Sequence, residues 1–275
     1  MSKTYDVIVI GAGAVGENVA DYAKRGGLTV ALVENELVSG ECSYWACMPS
    51  KALLRPGAAL RGARAVEGVK QVIAPDAKVD IAAVLARRDK ATSNWNDAGQ
   101  VKWVDSTGID LIRGTAKITD VREVTIDGSV YAAKYAVVAA TGSSAFVPNI
   151  PGLREAKPWT SREATSSKVV PESLIVLGGG VVASEMATAY ATFGAKVTMV
   201  VRGKSLLGGQ EDFAGDLVTK GLKSLGVTIH FDSSLTHVSR TGDKGPVAAT
   251  ITSGETLHAD QILVAAGRTP NSANL

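Results

Sequence analysis

Cys42 and Cys47 are the only cysteines in a chain of 275 residues, and they stand five positions apart in the run Cys42-Ser43-Tyr44-Trp45-Ala46-Cys47-Met48-Pro49-Ser50-Lys51. A pair this close can exchange electrons as a dithiol, ligate a metal, or sit inert in a core. A metal site needs further ligands, and the histidines His230, His237 and His258 all lie far along the chain. On a continuous helix, Cα atoms five residues apart are roughly 8–9 Å from each other, whereas a disulfide needs less than about 7 Å. The sulfurs can therefore pair only if Cys42 precedes the helix or lies in a distorted first turn. Pro49 predicts that the helix starts there, since proline is favoured at the first helical position. Cys47 then sits at the helix mouth, where unpaired N–H groups and the dipole favour a thiolate, and Lys51 adds to that field one turn on. These residue types favour a redox-active dithiol over the other two readings.

Two glycine turns flank this motif in sequence. Gly11-Ala12-Gly13-Ala14-Val15-Gly16 follows an apolar run at residues 5–10 and opens a helical pattern. In such a turn the first glycine permits the bend, the second lets backbone approach a pyrophosphate, and the third allows close helix-on-strand packing. Glu34 ends the next strand, where a carboxylate can bind ribose hydroxyls. The second turn, Gly178-Gly179-Gly180-Val181-Val182-Ala183, repeats the plan, but Arg202 replaces the acidic residue, with Lys204 beside it. A cation there suits the 2′-phosphate of NADP, although an exposed strand-end charge has the same appearance in sequence.

The elements that must carry these residues follow the same plan twice. The first half reads as strands at 5–10 and 29–33 around a helix, a stretch 39–60 that carries both cysteines and runs into a helix broken near Pro56-Gly57, and a helix at 80–98. Strands follow at 111–119, 123–126 and 135–140, with Asp127-Gly128 as a hairpin turn. Proline-rich residues 143–157 form a connector. The second half has strands at 173–177, 196–201, 227–231 and 262–266, helices at 184–193 and 211–225, and a meander at 247–252 and 256–258. The predicted fold is α/β, two tandem Rossmann-like dinucleotide-binding domains with parallel sheets and small antiparallel meanders, divided as 1–150 and 151–275. With 45% hydrophobic and 20% charged residues the composition is globular, and a net charge of +2 without a basic stripe argues against a nucleic-acid partner. No run reaches the ~18 apolar residues of a membrane span. The N-terminus leads straight into a glycine turn without a signal-peptide pattern, so the expected location is cytoplasmic.

The two glycine turns, the Cys42–Lys51 motif, Ala140-Thr141-Gly142 and the Ala266-Gly267-Arg268-Thr269-Pro270-Asn271 ending together resemble the pyridine nucleotide–disulfide oxidoreductases, the group of dihydrolipoamide dehydrogenase, glutathione reductase and mercuric reductase. The resemblance implies FAD on the first domain and NADP (or NAD) on the second. Electrons pass from NAD(P)H through flavin to a Cys42–Cys47 disulfide, and on to a disulfide or similar small acceptor. It makes Cys47 the thiolate beside the flavin and Cys42 the outward, attacking thiol, with Lys51 and Glu185 an ion pair near the flavin and nicotinamide. Cofactor contacts are implied at Gly11, Gly13, Gly16, Glu34, Glu41, Cys42, Lys51, Ala116, Thr141 and Gly142. On the second domain they are implied at Gly178, Gly180, Ala183, Glu185, Arg202 and Gly267. Ala183 as the third residue of the turn is commoner in NADP-using members.

Ser39 and Glu41 stand where the family usually has glycine and threonine, and Tyr44-Trp45 are bulkier than usual. Val181 and Gly208 depart from the nicotinamide gate and phosphate clamp of glutathione reductase. Family members continue into a C-terminal dimerisation domain, absent here. The expected whole is therefore a homodimer serving cell redox homeostasis, and the chain is expected to be a partial version of it. The rival readings are a catalytically incomplete nucleotide-binding fragment and a flavin-dependent NAD(P)H oxidase or dye reductase with bystander cysteines.

Overall fold

The computed structural model describes residues 3–243 and 245–275. In chain order it begins with β1 (Lys3–Ile10), α1 (Ala14–Arg25), β2 (Val30–Glu34), α2 (Gly40–Tyr44), α3 (Cys47–Arg64), α4 (Ile81–Ala91) and α5 (Ala98–Thr107). Then come β3 (Asp110–Arg113), β4 (Ala116–Asp120), β5 (Glu123–Ile126), β6 (Ser129–Ala139) and β7 (Ser143–Ala145). The remainder is α6 (Ser161–Ser166), β8 (Ser173–Leu177), α7 (Val181–Thr192), β9 (Lys196–Val200), α8 (Asp212–Ser224) and β10 (Thr228–His230). It closes with β11 (Leu235–Arg240), β12 (Val247–Ile251), β13 (Thr256–Ala259), β14 (Gln261–Val264) and β15 (Arg268–Pro270).

Two compact units result. One holds the chain to Met48, Asp89–Ser144 and Thr269–Leu275; the other holds Pro49–Arg88 and Ala145–Arg268. They differ from a contiguous division at residue 150 because the segment 49–88 packs within the second unit. Leu53 and Val84 share a core with Leu174, Met186 and Tyr190. The fully buried Arg88 donates to the carbonyls of Thr165 and Ser167, capping the end of α6.

The first unit is built on a sheet in the order β3-β2-β1-β6-β5-β4. The strands from β3 to β6 in that order are parallel, and β6-β5-β4 are antiparallel. Alternate residues of β1 feed opposite cores: Ile8 and Ile10 pack with Val33 and Val124, while Val7 and Val9 pack with Ala20 and Val104. Burial on both faces explains why the strand reads as an unbroken apolar run. Asp127 and Gly128 take φ of 44° and 85°, the paired positive values that a two-residue hairpin turn demands.

In the second unit the parallel order is β10-β9-β8-β14, and β11-β12-β13 form an antiparallel sheet. Ile175 and Leu177 share a core with Val238, Ala249 and Ile251 of that small sheet, while Leu174 and Val176 join the core containing α7 residues Ala183 and Met186.

Four local expectations are corrected. Helix α3 runs unbroken through Pro56, because packing overrides the lost backbone donor: Gly57 lies so close to Thr192 that an added Cβ would come within 2.4 Å of its Cγ2. It also begins at Cys47, two residues before the start that Pro49 predicts, which a first-turn proline allows since its missing N–H has no intrahelical partner there. The helix expected over 80–98 stops at Ala91, since Ser93, Asn94 and Trp95 take φ of 49°, 53° and 56°. The strand expected over 111–119 is split at Gly114, whose φ of 150° turns the chain from β3 into β4. Helices α5 and α6 and strand β11 are further elements, and among the described residues no helix is long and apolar enough to cross a membrane.

Candidate active site

The first glycine turn is shaped by three different steric demands. Gly11 has φ of 99°, and a Cβ there would lie 2.4 Å from the Ala140 carbonyl oxygen. A Cβ on Gly16 would come within 1.8 Å of the Gly11 oxygen, so this glycine lets α1 press onto β1. A Cβ on Gly13 would meet nothing within 4 Å. Gly13 is also the N-cap of α1 and makes no side-chain cap hydrogen bond. Ser39 N–H donates to the Ala12 carbonyl at 2.7 Å, and Gly40 approaches so closely that a Cβ would lie 2.9 Å from Gly13 Cα.

Beside this cradle lies Glu34, only 9% exposed. Its Oε2 accepts from Ala12 N–H at 2.8 Å and its Oε1 from Glu36 N–H at 2.7 Å. Both oxygens are thereby aimed while keeping lone pairs for hydroxyl donors. Thr141 and Gly142 follow β6, and Asn271 fastens them by donating Nδ2–H to the Thr141 carbonyl at 2.9 Å and its backbone N–H to that of Gly142 at 3.0 Å. Ala116 opens β4 and is buried against Ile126. A helix N-terminus without a side-chain cap, room at Gly13 and an oriented carboxylate fit a dinucleotide pyrophosphate and ribose.

The cysteines are brought together by a break between two helices. Cys42 lies in α2, which Trp45 and Ala46 end by donating to the Glu41 carbonyl, and Cys47 is the first residue of α3. The requirement that Cys42 lie outside the helix of Cys47 is met. Both are free thiols; Cys47 is exposed and Cys42 half-buried. Burial, then the hydrogen bond to Cys47 and that neighbour's charge, push the Cys42 thiol up to about 11. Tyr44 is a core anchor here: it is buried, its hydroxyl donates to Gln100 Oε1 at 3.2 Å, and its carbonyl accepts from Trp95 Nε1–H at 3.0 Å.

In the second unit, Gly178 has φ of 130° and a Cβ would lie 2.3 Å from the Ala265 oxygen, while Gly180 caps α7 with open space around it. Ala183 is fully buried in the core behind the turn. Arg202 follows β9 and Gly267 follows β14; Arg202 is exposed and makes no ion pair among the described residues. Lys51 Nζ lies 2.6 Å from Glu185 Oε1, so these two predicted site residues do meet.

Two features escape the sequence reading. Arg113 pairs with Asp97 and donates to the Glu36 carbonyl at 2.6 Å, while Asp97 accepts from Val38 N–H at 2.8 Å. This clamp fixes the loop that follows Glu34, and an arginine closing β3 just before Gly114 was the only sign of it in the sequence. The second is Glu17, on a cleft of about 330 Å³ lined also by Asn18, Asp21, Ser39, Gln100 and Trp103. Burial raises its carboxyl to about 7, against the Ser39 hydrogen bond and with the charge on Glu34 adding. The folded state holds this proton more tightly than the unfolded state, whose value is near 4.5. Its contribution to stability is therefore complete below about pH 4.5 and is lost as pH rises through about 7. Thermal midpoints measured across that window should fall less steeply in Glu17→Gln than in the parent; equal slopes would contradict the assignment.

Residues 5–275 match the family described as pyridine nucleotide-disulphide oxidoreductase. A mercuric reductase of Lysinibacillus sphaericus is 30% identical over 272 residues, 98% of this chain and 50% of that protein. A dihydrolipoyl dehydrogenase of Acholeplasma laidlawii is 31% identical over 280 residues, 100% of this chain and 82% of that protein. The chain thus spans about half the length of the mercuric reductases it matches. Among solved structures, the HOCl-induced flavoprotein disulfide reductase RclA from Escherichia coli shares the fold, with a TM-score of 0.83 at 24% identity over 98% of this chain and 58% of that one.

Proposed function

Because the chain belongs to the pyridine nucleotide–disulphide oxidoreductase family, we propose that it is the nucleotide-binding and dithiol-bearing part of an FAD-dependent NAD(P)H:disulfide oxidoreductase. The observation that carries this reading is the pair of hydrogen-bonded thiols at the mouth of α3, in the same unit as a glycine cradle open to a pyrophosphate. Bound flavin would supply the two-electron exchange between nicotinamide and sulfur. The α1 amides and Glu34 would hold its pyrophosphate and ribose, and the Asp97–Arg113 clamp would keep the Glu34 loop in place. Glu185 directs the Lys51 ammonium, one turn along α3 from Cys47. Cys42 attacks one sulfur of the acceptor disulfide and expels the other as a thiol. Cys47 then attacks Cys42, so that a Cys42–Cys47 bond forms, a second thiol leaves, and two electrons and two protons have been delivered.

The test is steady-state reduction of a small aromatic disulfide by NADPH in flavin-loaded protein. The parent turns over, and Cys42→Ser/Cys47→Ser retains dye reduction but loses disulfide reduction. Undiminished disulfide reduction in the double variant would sink the reading and favour bystander cysteines.

NADPH is the proposed donor, supported by the exposed Arg202, which makes no ion pair among the described residues, and by Ala183 in the second turn. Arg202→Glu should lower kcat/KM for NADPH by about 10- to 100-fold, the worth of a charge-assisted phosphate contact, and leave NADH nearly unchanged. Equal losses with both cofactors would remove Arg202 from the phosphate site.

A further inference from the structure

Glu17 stands on α1 immediately after the third glycine of the cradle, and its Oε2 accepts the Ser39 hydroxyl at 3.5 Å. Ser39 Oγ lies 2.6 Å from Ser43 Oγ, and Ser43 is the neighbour of Cys42 in α2. Ser39 holds φ of 87°, a left-handed conformation that glycine adopts freely and serine only under strain. A serine kept there provides a hydroxyl that glycine lacks, and that hydroxyl links the glycine-turn helix to the cysteine helix.

The surroundings of Glu17 are acidic or neutral. Asp21 lies one turn along α1, Glu34 ends β2, Cys42 faces it from α2, and α5 presents Gln100 and Trp103. Among the described residues no cation lines the cleft. A charge on Glu17 disfavours a second negative charge at Cys42, with Arg113 the cation felt on the far side of Tyr44.

We propose that Glu17 is a positioning residue for the cysteine pair: through Ser39 and Ser43 it ties α2 to α1, and its negative charge adds to burial and Cys47 in setting Cys42 apart from its partner sulfur. The inference deepens the reading of the pair as a working dithiol, for it adds Glu17 to burial and the neighbouring Cys47 as a group that disfavours the Cys42 thiolate.

The test is the rate of iodoacetamide alkylation at Cys42 in the fully reduced protein, followed residue by residue by mass spectrometry from neutral pH upward, with Cys47 as internal reference. In the parent the Cys42 profile has its midpoint at about 11. In Glu17→Gln the midpoint moves down and the rate at about pH 9 rises roughly threefold, the scale of one partly screened charge. Glu17→Asp, which keeps the charge, stays closer to the parent than Glu17→Gln. Ser39→Gly, which relieves the backbone strain while removing the link, also moves the profile down without loss of thermal stability. A Cys42 profile unchanged in both Glu17→Gln and Ser39→Gly overturns the proposal. Because alkylation needs neither flavin nor acceptor, a shifted profile in a protein that reduces no disulfide would remove the proposed function and leave the role of Glu17 standing.

Discussion

Gly13→Asp should leave the fold intact yet weaken FAD binding by about a hundredfold or more, whereas Gly16→Ala, a far smaller change, should damage the fold itself. The contrast follows from what each added atom meets. At Gly13 a side chain enters open space at the mouth of α1, so the protein pays no steric cost. It does place a carboxylate at the helix N-terminus that would receive a dianionic pyrophosphate. Losing that reception and adding repulsion amounts to about 3 kcal/mol or more, hence the hundredfold. At Gly16 the new methyl would lie 1.8 Å from the Gly11 oxygen, which is backbone and cannot move aside without prising α1 from β1. A cost of about 3 kcal/mol or more of folding stability is expected. Equilibrium binding of FAD together with thermal melting of both variants checks the pair of outcomes. Parent-like affinity in Gly13→Asp would show that the cradle does not hold a pyrophosphate.

Cys47→Ser should abolish disulfide turnover, by about a thousandfold or more, and should trap the acceptor on the protein. With Cys42 attacking, the first exchange still forms a mixed disulfide with half of the acceptor. The serine hydroxyl cannot resolve it, because only a thiolate displaces sulfur at a useful rate. Intact-mass measurement after mixing reduced protein with an aromatic disulfide should find one adduct, on Cys42. Cys42→Ser should lose turnover equally but accumulate little adduct, and stable trapping by that variant instead would reverse the two roles. The half-burial of Cys42 and its raised thiol predict slow capture at neutral pH that quickens as pH rises toward about 11.

The glycine turns and the cysteine break were legible because their causes are local. Gly11 and Gly178 each end a strand with a backbone that a Cβ would drive into the carbonyl of Ala140 or Ala265, so nothing distant is needed to read them. Helix geometry lets the two sulfurs meet only if Cys42 lies ahead of the helix of Cys47 or in a distorted first turn. The Thr160–Glu163 capping box that starts α6 is likewise local, a threonine and a glutamate three residues apart.

Other features depend on contacts between residues far apart in the chain. Nothing near Arg88 states that it will be buried against carbonyls at 165 and 167, and so the partnership of residues 49–88 with the second unit was hidden. By sequence alone Glu17 is a first-turn acid, favourable to the helix dipole. Only the arrival of α5 and the Ser39 loop beside it creates the cleft that raises its carboxyl.

Whether the two sulfurs exchange electrons with the flavin is measured most directly by counting them. Anaerobic titration of the flavin-loaded protein with dithionite, followed by flavin absorbance and by free-thiol assay at each point, should take up about four electrons per flavin, two of them appearing as the Cys42 and Cys47 thiols. Uptake of about two, with no thiols gained, would mean that the cysteines stand outside the electron path and that the central claim is wrong.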